Sequence, residues 1–344
     1  MKPSSHVSKV SGSHQHGVTL IELLVAMGLG LLVVLIASVS LQLGRQGYDT
    51  VDSVTQIRDR QRLAIDLLTR TIVQTGFEDF GATTSTFRAN ADTTTLEPDI
   101  FGWNNAIYTP PDGLILSESS KITSGDRLAK CGASDTSCKN GSDILVVRYQ
   151  GVTDPAAPLE PDNTILNCGG WGERGLTTND LNERGASIFH VDRGDNGEPS
   201  LYCAYYNHKT GKWIASTPLI EGVESFQVLY GTDRVAPGLA PVENDPAQDS
   251  VAERWLRADQ LSVPGNPVAT RKNWRRVRAV RVGLVMRGPV GSAQQALATT
   301  SRPLGAAYTD GTNDVGAALA VPADRRLRTT STFTVHVRND LTMR

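Results

Sequence analysis

The chain begins with a polar stretch and then changes character abruptly. Residues 1–17, MKPSSHVSKVSGSHQHG, are hydrophilic, whereas Val18 to Leu43 is apolar apart from Thr19, Glu22, Ser38, Ser40 and Gln42. As a helix this run would reach about 39 Å at 1.5 Å per residue, enough to cross a bilayer. Lys2 and Lys9 precede it without an acid, which predicts a cytoplasmic N-terminus and an exported remainder. Three-to-four spacing then continues the helix. Val51, Val54, Ile57, Ala64, Ile65, Leu68 and Ile72 define one face, while Asp52, Arg58, Asp59, Arg60, Arg62 and Arg70 mostly lie off it. Gly76 is a suitable stop.

Beyond Gly76 the period changes. Residues 77–140 are rich in Thr, Asp, Asn, Gly and Pro and read as loops with short elements. Strand patterns follow at 143–150, 187–193, 200–207, 212–216, 223–231, 277–287 and 333–339. Phe226, Val228 and Tyr230 alternate with Ser225, Gln227 and Leu229. Val280, Val282, Leu284 and Met286 share a face, as do Phe333, Val335 and Val337. Period-two alternation predicts a half-buried antiparallel sheet. Residues 232–272 and 288–329 read as polar loops with short helices.

Charge and cysteine usage narrow the class. The formal net charge is -2, becoming -4 if Lys2 and Lys9 leave with the leader, so there is no basic footprint for nucleic acid. Cys131, Cys138, Cys168 and Cys203 all fall in the part expected to be exported, where an even number reads as two disulfides. Three connectivities are possible. The favoured one joins Cys131 to Cys138, closing a small polar loop, and Cys168 to Cys203, tying a loop to a strand. Zinc is disfavoured by the absence of a CxxC pair and the wide spacing of His190, His208 and His336.

Glu22 is the most informative single residue. An ionised carboxylate in hydrocarbon costs about 2.5–3.5 kcal/mol on insertion scales, so it calls for a partner. An ordinary secretory signal is cut after its apolar core. Here the plausible junction, Gly17–Val18, precedes that core, and cleavage would leave the helix on the mature chain. The amine of Val18 and the carboxylate of Glu22 are four apart, which on a helix places them on one face.

Gly17, Val18, Thr19, Leu20, Ile21 and Glu22 with the apolar run resemble the signal of type IV pilins and type II secretion pseudopilins. The resemblance implies cleavage after Gly17 by a prepilin peptidase and methylation of the Val18 amine. It also implies a filament salt bridge between Glu22 and the amine of a neighbouring subunit. LIEGVESFQVLYGTD (219–233), VRAVRVGLVMR (277–287) and FTVHVRN (333–339) are similar to the PilW type of minor pilin, and GFEDFG (76–81) fits the same family more loosely. PilW is in turn similar to the J-type pseudopilin of type II secretion.

The expected fold class is therefore α+β and pilin-like, a long N-terminal transmembrane helix packed on antiparallel β-sheet. Residues 1–17 would be the cleaved leader, 18–43 the transmembrane and filament-core helix, 44–75 its periplasmic continuation and 76–344 the globular β-rich domain. What the resemblance implies is a subunit that primes pilus assembly and sits at or near the tip. Its partners would be other minor pilins, the major pilin, the prepilin peptidase and the inner-membrane assembly platform. It would start in the inner membrane as a single-pass protein and end in the pilus at the cell surface. A type II secretion pseudopilin, and a tip-located adhesin or DNA-binding module carried by 77–140, are the alternatives.

No catalytic constellation stands out: GxSxG, P-loop and HExxH patterns are absent, so neither catalytic residues nor a cofactor or metal is expected. Asp192, Asp195, Asn196 and Glu198 could supply oxygen ligands to calcium, but their spacing is not that of an EF-hand, and DNG is a good hairpin turn. His190 and His336 fall in strand patterns and read as packing or surface residues; His208 falls in a hairpin turn. Arg271, Lys272, Arg275, Arg276 and Arg278 around Trp274 could touch an anionic partner, but a solvated strand start is the preferred reading. Trp103 and Trp171 lie in Gly/Asn-rich loops as partner contacts or loop anchors.

Overall fold

The computed structural model describes residues 17–79, 96–108, 140–176, 184–207, 212–308 and 314–339. The leader before Gly17, Cys131, Cys138, His208 and most of 77–140 lie outside the described residues. The chain divides into two compact units, Met1–Asp52 and Ser53–Arg344. One helix, α1 (Leu20–Val73), contributes to both.

In the first unit no described residue of α1 is buried. Leu20, Leu31 and Leu35 are 77%, 69% and 65% exposed, and mean hydropathy reaches 2.7 in an 18-residue window. This part is long and apolar enough to cross a membrane. Val51, expected on the continuing apolar face, is also exposed.

In the second unit α1 buries one stripe. Ser53, Ile57, Ala64, Leu68 and Ile72 recur every four or seven residues and are buried, with Thr71 buried beside them. Fully burying a side chain such as Leu68 contributes about 1.5–3 kcal/mol. Gly76, at φ +68°, turns the chain out of the helix, and its N–H donates to Arg148 O at 2.9 Å.

Ile100–Trp103 (β1) and Ile144–Tyr149 (β2) begin the first sheet. A small hairpin, Thr153–Asp154 (β3) and Ala157–Pro161 (β4), interrupts it. Gly185–Arg193 (β5), Pro199–Asn207 (β6) and Lys212–Glu221 (β7) complete it in the order β1-β2-β5-β6-β7, every pairing antiparallel. Val223–Thr232 (β8) starts a second antiparallel sheet with Arg254–Leu256 (β9) and Val277–Arg287 (β10). The two short helices α2 (Ala258–Leu261) and α3 (Pro267–Trp274) lie between β9 and β10. Thr299–Ser301 (β11) and Leu319–Val321 (β12) pair separately, and Arg328–His336 (β13) completes the order β13-β10-β8-β9.

One residue carries the chain from the first sheet to the second. Gly222, between β7 and β8, has φ +89°, and a Cβ there would lie 2.7 Å from Arg287 O. Its N–H donates to Pro199 O and its carbonyl accepts from Arg287 N, both at 2.8 Å, so it ties both sheets at the switch. Only glycine meets both demands without strain.

The half-buried sheet expected from alternation is corrected for the two central strands. All ten residues of β8 are buried, and nine of the eleven in β10. On the second face, Val285 packs with Leu319 and Val321 of β12. Gln227 on that face is accommodated because its amide donates to Gly141 O at 2.7 Å. The alternation expected holds on β13, where Thr330, Thr332, Thr334 and His336 are exposed and Val335 is buried.

Candidate assembly site

Gly17 and Val18 are exposed and precede the helix, which begins at Leu20. Thr19 is its N-cap. Thr19 N donates to Glu22 Oε2 at 2.9 Å, Glu22 N donates to Thr19 Oγ1 at 3.3 Å, and the two side chains bond at 3.0 Å. This reciprocal pairing is a capping box, and it satisfies two N–H groups that a helix start leaves unpaired. The shared-helix-face argument for Val18 and Glu22 is corrected accordingly: Val18 precedes the cap, because an N-cap residue leaves helical geometry. Thr19 itself was missed in the sequence, although T-L-I-E is the T-x-x-E signature of such a box.

The carboxylate of Glu22 is therefore already placed at the positive end of the helix dipole. It stands at the head of an uncovered apolar cylinder. That arrangement suits packing among like helices.

In the second unit a disulfide joins Cys168 to Cys203, with Cα atoms 6.1 Å apart. It ties the 162–172 loop to β6 in the buried core. Cys168 N–H also donates to Ser187 Oγ at 3.0 Å.

The basic cluster is not solvated. Arg271, Arg275, Arg276 and Arg278 are buried, and Trp274 is fully so. Arg271 meets Glu97 at 3.2 Å, Arg275 donates to Leu96 O at 2.6 Å, and Arg276 donates to Val242 O at 2.6 Å. Arg278 lies 3.9 Å from Asp233, and Arg184 pairs with Asp99 from the far side of the same segment. Only Lys272 matches the solvated reading, reaching Glu243 at 2.6 Å. Arg271 and Arg275 clamp residues 96 and 97 onto α3, and Arg276 and Arg278 are spent on Val242 O and Asp233 rather than on an anionic partner. They were misread because Glu97 is 174 residues from Arg271 in sequence.

The acidic turn after β5 is also engaged. Glu198 accepts from Arg287 at 2.9 Å and from Arg326 at 2.7 Å, and Glu224 accepts from Arg328 at 2.6 Å. The hydrogen bond from Arg326, with the nearby Arg287 charge, holds the Glu198 carboxyl below its ordinary range. Asn196 spans to Glu221 at 2.8 Å and also caps its own turn. Among the described residues no group of three or more His, Cys, Asp or Glu could hold a metal ion. His190 is buried between Tyr108 and Tyr202, and His336 is exposed on β13. Trp103 packs edge-on to Phe101, while Trp171 is 63% exposed.

Comparison with known proteins meets this geometry at both ends of the chain. Residues 12–38 match the family model of the prokaryotic N-terminal methylation motif. A prepilin motif on an uncovered apolar helix, ahead of a disulfide-bonded antiparallel β domain, defines a protein of the type IV pilin class. Residues 188–339, from β5 to the end of β13, match the model of the PilW family, Type IV Pilus-assembly protein W. Together the two matches support a PilW-like type IV minor pilin. Among solved structures it is similar to the type IV-like pilin TTHA1219 from Thermus thermophilus, at 14% identity over 83% of this chain and 98% of that one. The TM-score of 0.39 makes that a distant likeness on which nothing further rests. No curated protein matches.

Proposed function

We propose that this chain is a structural subunit that primes assembly of a type IV pilus and sits at or near its tip. The observation that carries the reading is the pairing of a methylation-motif helix, apolar on every side, with a PilW-type domain. Prepilin peptidase cuts between Gly17 and Val18 on the cytoplasmic face and methylates the Val18 amine. The helix holds the protein in the inner membrane, with the β-rich domain in the periplasm, until it joins other minor pilins and the assembly platform. The major pilin is then added, and the subunit leaves the membrane with the filament.

On assembly, the Glu22 carboxylate exchanges its Thr19 N–H bond for the methylated amine of a neighbouring subunit. A desolvated ion pair is penalised heavily when one partner is missing, so the exchange fixes the vertical register of adjacent helices. The role is structural rather than enzymatic, and the arginine networks stabilise the domain rather than bind nucleic acid.

A clean deletion of the gene, scored in parallel for sheared surface pili and for secreted enzyme activity, tests the reading. Lost pili with intact secretion is the expected result. Lost secretion with intact pili would overturn it and move the protein to the type II secretion pseudopilins.

A further inference from the structure

The four outer strands of the two sheets are unequal. β1 has four residues and β9 three, too short to template a partner. β7 is longer, but it carries Lys212 and Pro218, and its register with β6 shifts twice. Short length, lysine, proline and bulges are the devices by which proteins blunt a sheet edge. β13 has none of them. Its nine residues, RTTSTFTVH, pair with β10 from Arg328 to His336 without a register shift.

The hydrogen-bonding direction of β13 follows from one contact. Val337 N donates to Arg278 O at 2.9 Å, which makes these two a hydrogen-bonded pair. With a period of two, Val335, Phe333, Ser331 and Thr329 then bond to β10 as well. The N–H and C=O groups of Thr330, Thr332, Thr334 and His336 point away from the sheet. All four residues are exposed, and none of their backbone groups bonds to another backbone segment outside the sheet among the described residues.

The charge left unpaired along this edge among the described residues is positive. From Arg325 to Arg338 the sequence contains no acid. Arg326 and Arg328 are neutralised by Glu198, Glu224 and Asp324. Arg325 and Arg338, beyond the two ends of the strand, are exposed and have no acidic partner among the described residues.

We infer that the outer edge of β13 is a docking site for an extended segment of a neighbouring pilin-type subunit, with acidic residues flanking the segment to meet Arg325 and Arg338. The row of outward donors and acceptors accepts an extended backbone as an added strand. The two arginines fix its register. This rests on the reading of the protein as a filament subunit, and supplies the periplasmic contact that a transmembrane bundle does not.

The test places a photo-crosslinking amino acid at Thr330 of the full-length chain in pilus-producing cells, with a control at Thr217 on β7. The expected product is an adduct at position 330, absent at 217, whose mass-mapped peptide lies in a strand of another pilin subunit. Thr334→Pro should reduce that adduct at least tenfold, because its N–H points outward and proline there removes no bond to β10. Thr334→Ala should leave it unchanged. If Thr334→Pro does not fold, the Arg325→Glu/Arg338→Glu double variant serves the same purpose through charge, with the same expected loss. Adducts retained in either folded variant, or an adduct mapping elsewhere than to a pilin strand, would overturn the inference. Pili lost on deletion of the gene but normal in both folded variants would refute β13 docking alone and leave the assembly role standing.

Discussion

The two parts of α1 are one continuous helix and meet opposite environments. Residues 20–43 carry leucine, valine and isoleucine on all sides, and none of the described residues from 20 to 52 is buried. Residues 53–73 carry fewer apolar side chains, yet bury Ile57, Ala64, Leu68 and Ile72 in the core of their own domain. Distribution and amount both separate them. A stripe about one face finds a sheet within the same chain, whereas an apolar cylinder has to be solvated from outside, by lipid or by other helices.

The largest effect that could break this contrast is a paired truncation. Leu68→Ala leaves a cavity in a fully buried site and should cost about 2–5 kcal/mol. Leu35→Ala, at a position 65% exposed, should leave the unfolding of the β domain unchanged. Denaturant unfolding of the full-length protein in detergent, followed by tryptophan fluorescence, reads both. Equal shifts would show that residues 20–52 are covered by the domain after all.

That contrast was legible in the sequence because helical periodicity is local. The helix, its stop at Gly76 and most of the strands could be read from spacing alone. What could not be read depended on distant partners. The burial of Arg271 requires Glu97, and the burial of Gln227 requires Gly141 O. The double-sided burial of β8 requires segments that cover its second face, and alternation on the strand itself carries no sign of them. β1 and β9, at four and three residues, are too short for any period to appear. Thr19 is a different case, since its signal, the T-x-x-E spacing to Glu22, is local.

Carboxylates sharpen the same comparison through pH. Glu198 and Asp324 in the second unit are both held below their ordinary values by hydrogen bonds from Arg326 and Arg328 respectively. A depressed carboxylate contributes stability that is fully present above its unfolded value and is lost as pH falls through its folded one. For Glu198, with an ordinary value of 4.5, the loss should begin below that pH. Glu198→Gln should flatten the acid limb of the stability curve measured by thermal unfolding from pH 7 to pH 3. Glu22→Gln should leave that limb as it is while abolishing piliation. A flattened limb in Glu22→Gln would mean that the two units share their electrostatics.

The smallest effect lies in the helix caps, and it separates a local from a global helix. Asn266 caps α3, its side chain accepting from Ala269 N at 3.0 Å, and α3 buries Ala269, Asn273 and Trp274. Thr19 caps α1 in the same way, but the turn it starts is exposed among the described residues. Removing either cap costs about 1 kcal/mol of helix stability. In Asn266→Ala that cost should appear in the unfolding free energy of the domain, because α3 cannot fray without exposing the fully buried Trp274. In Thr19→Ala it should appear only as faster amide exchange over the first turn of α1, with the unfolding midpoint unmoved and Thr19→Ser restoring protection. In the proposed assembly the first turn is also where Glu22 would meet a neighbour's amine. A cap that can open at such small cost, without loosening the rest of the protein, would let the carboxylate change partners there.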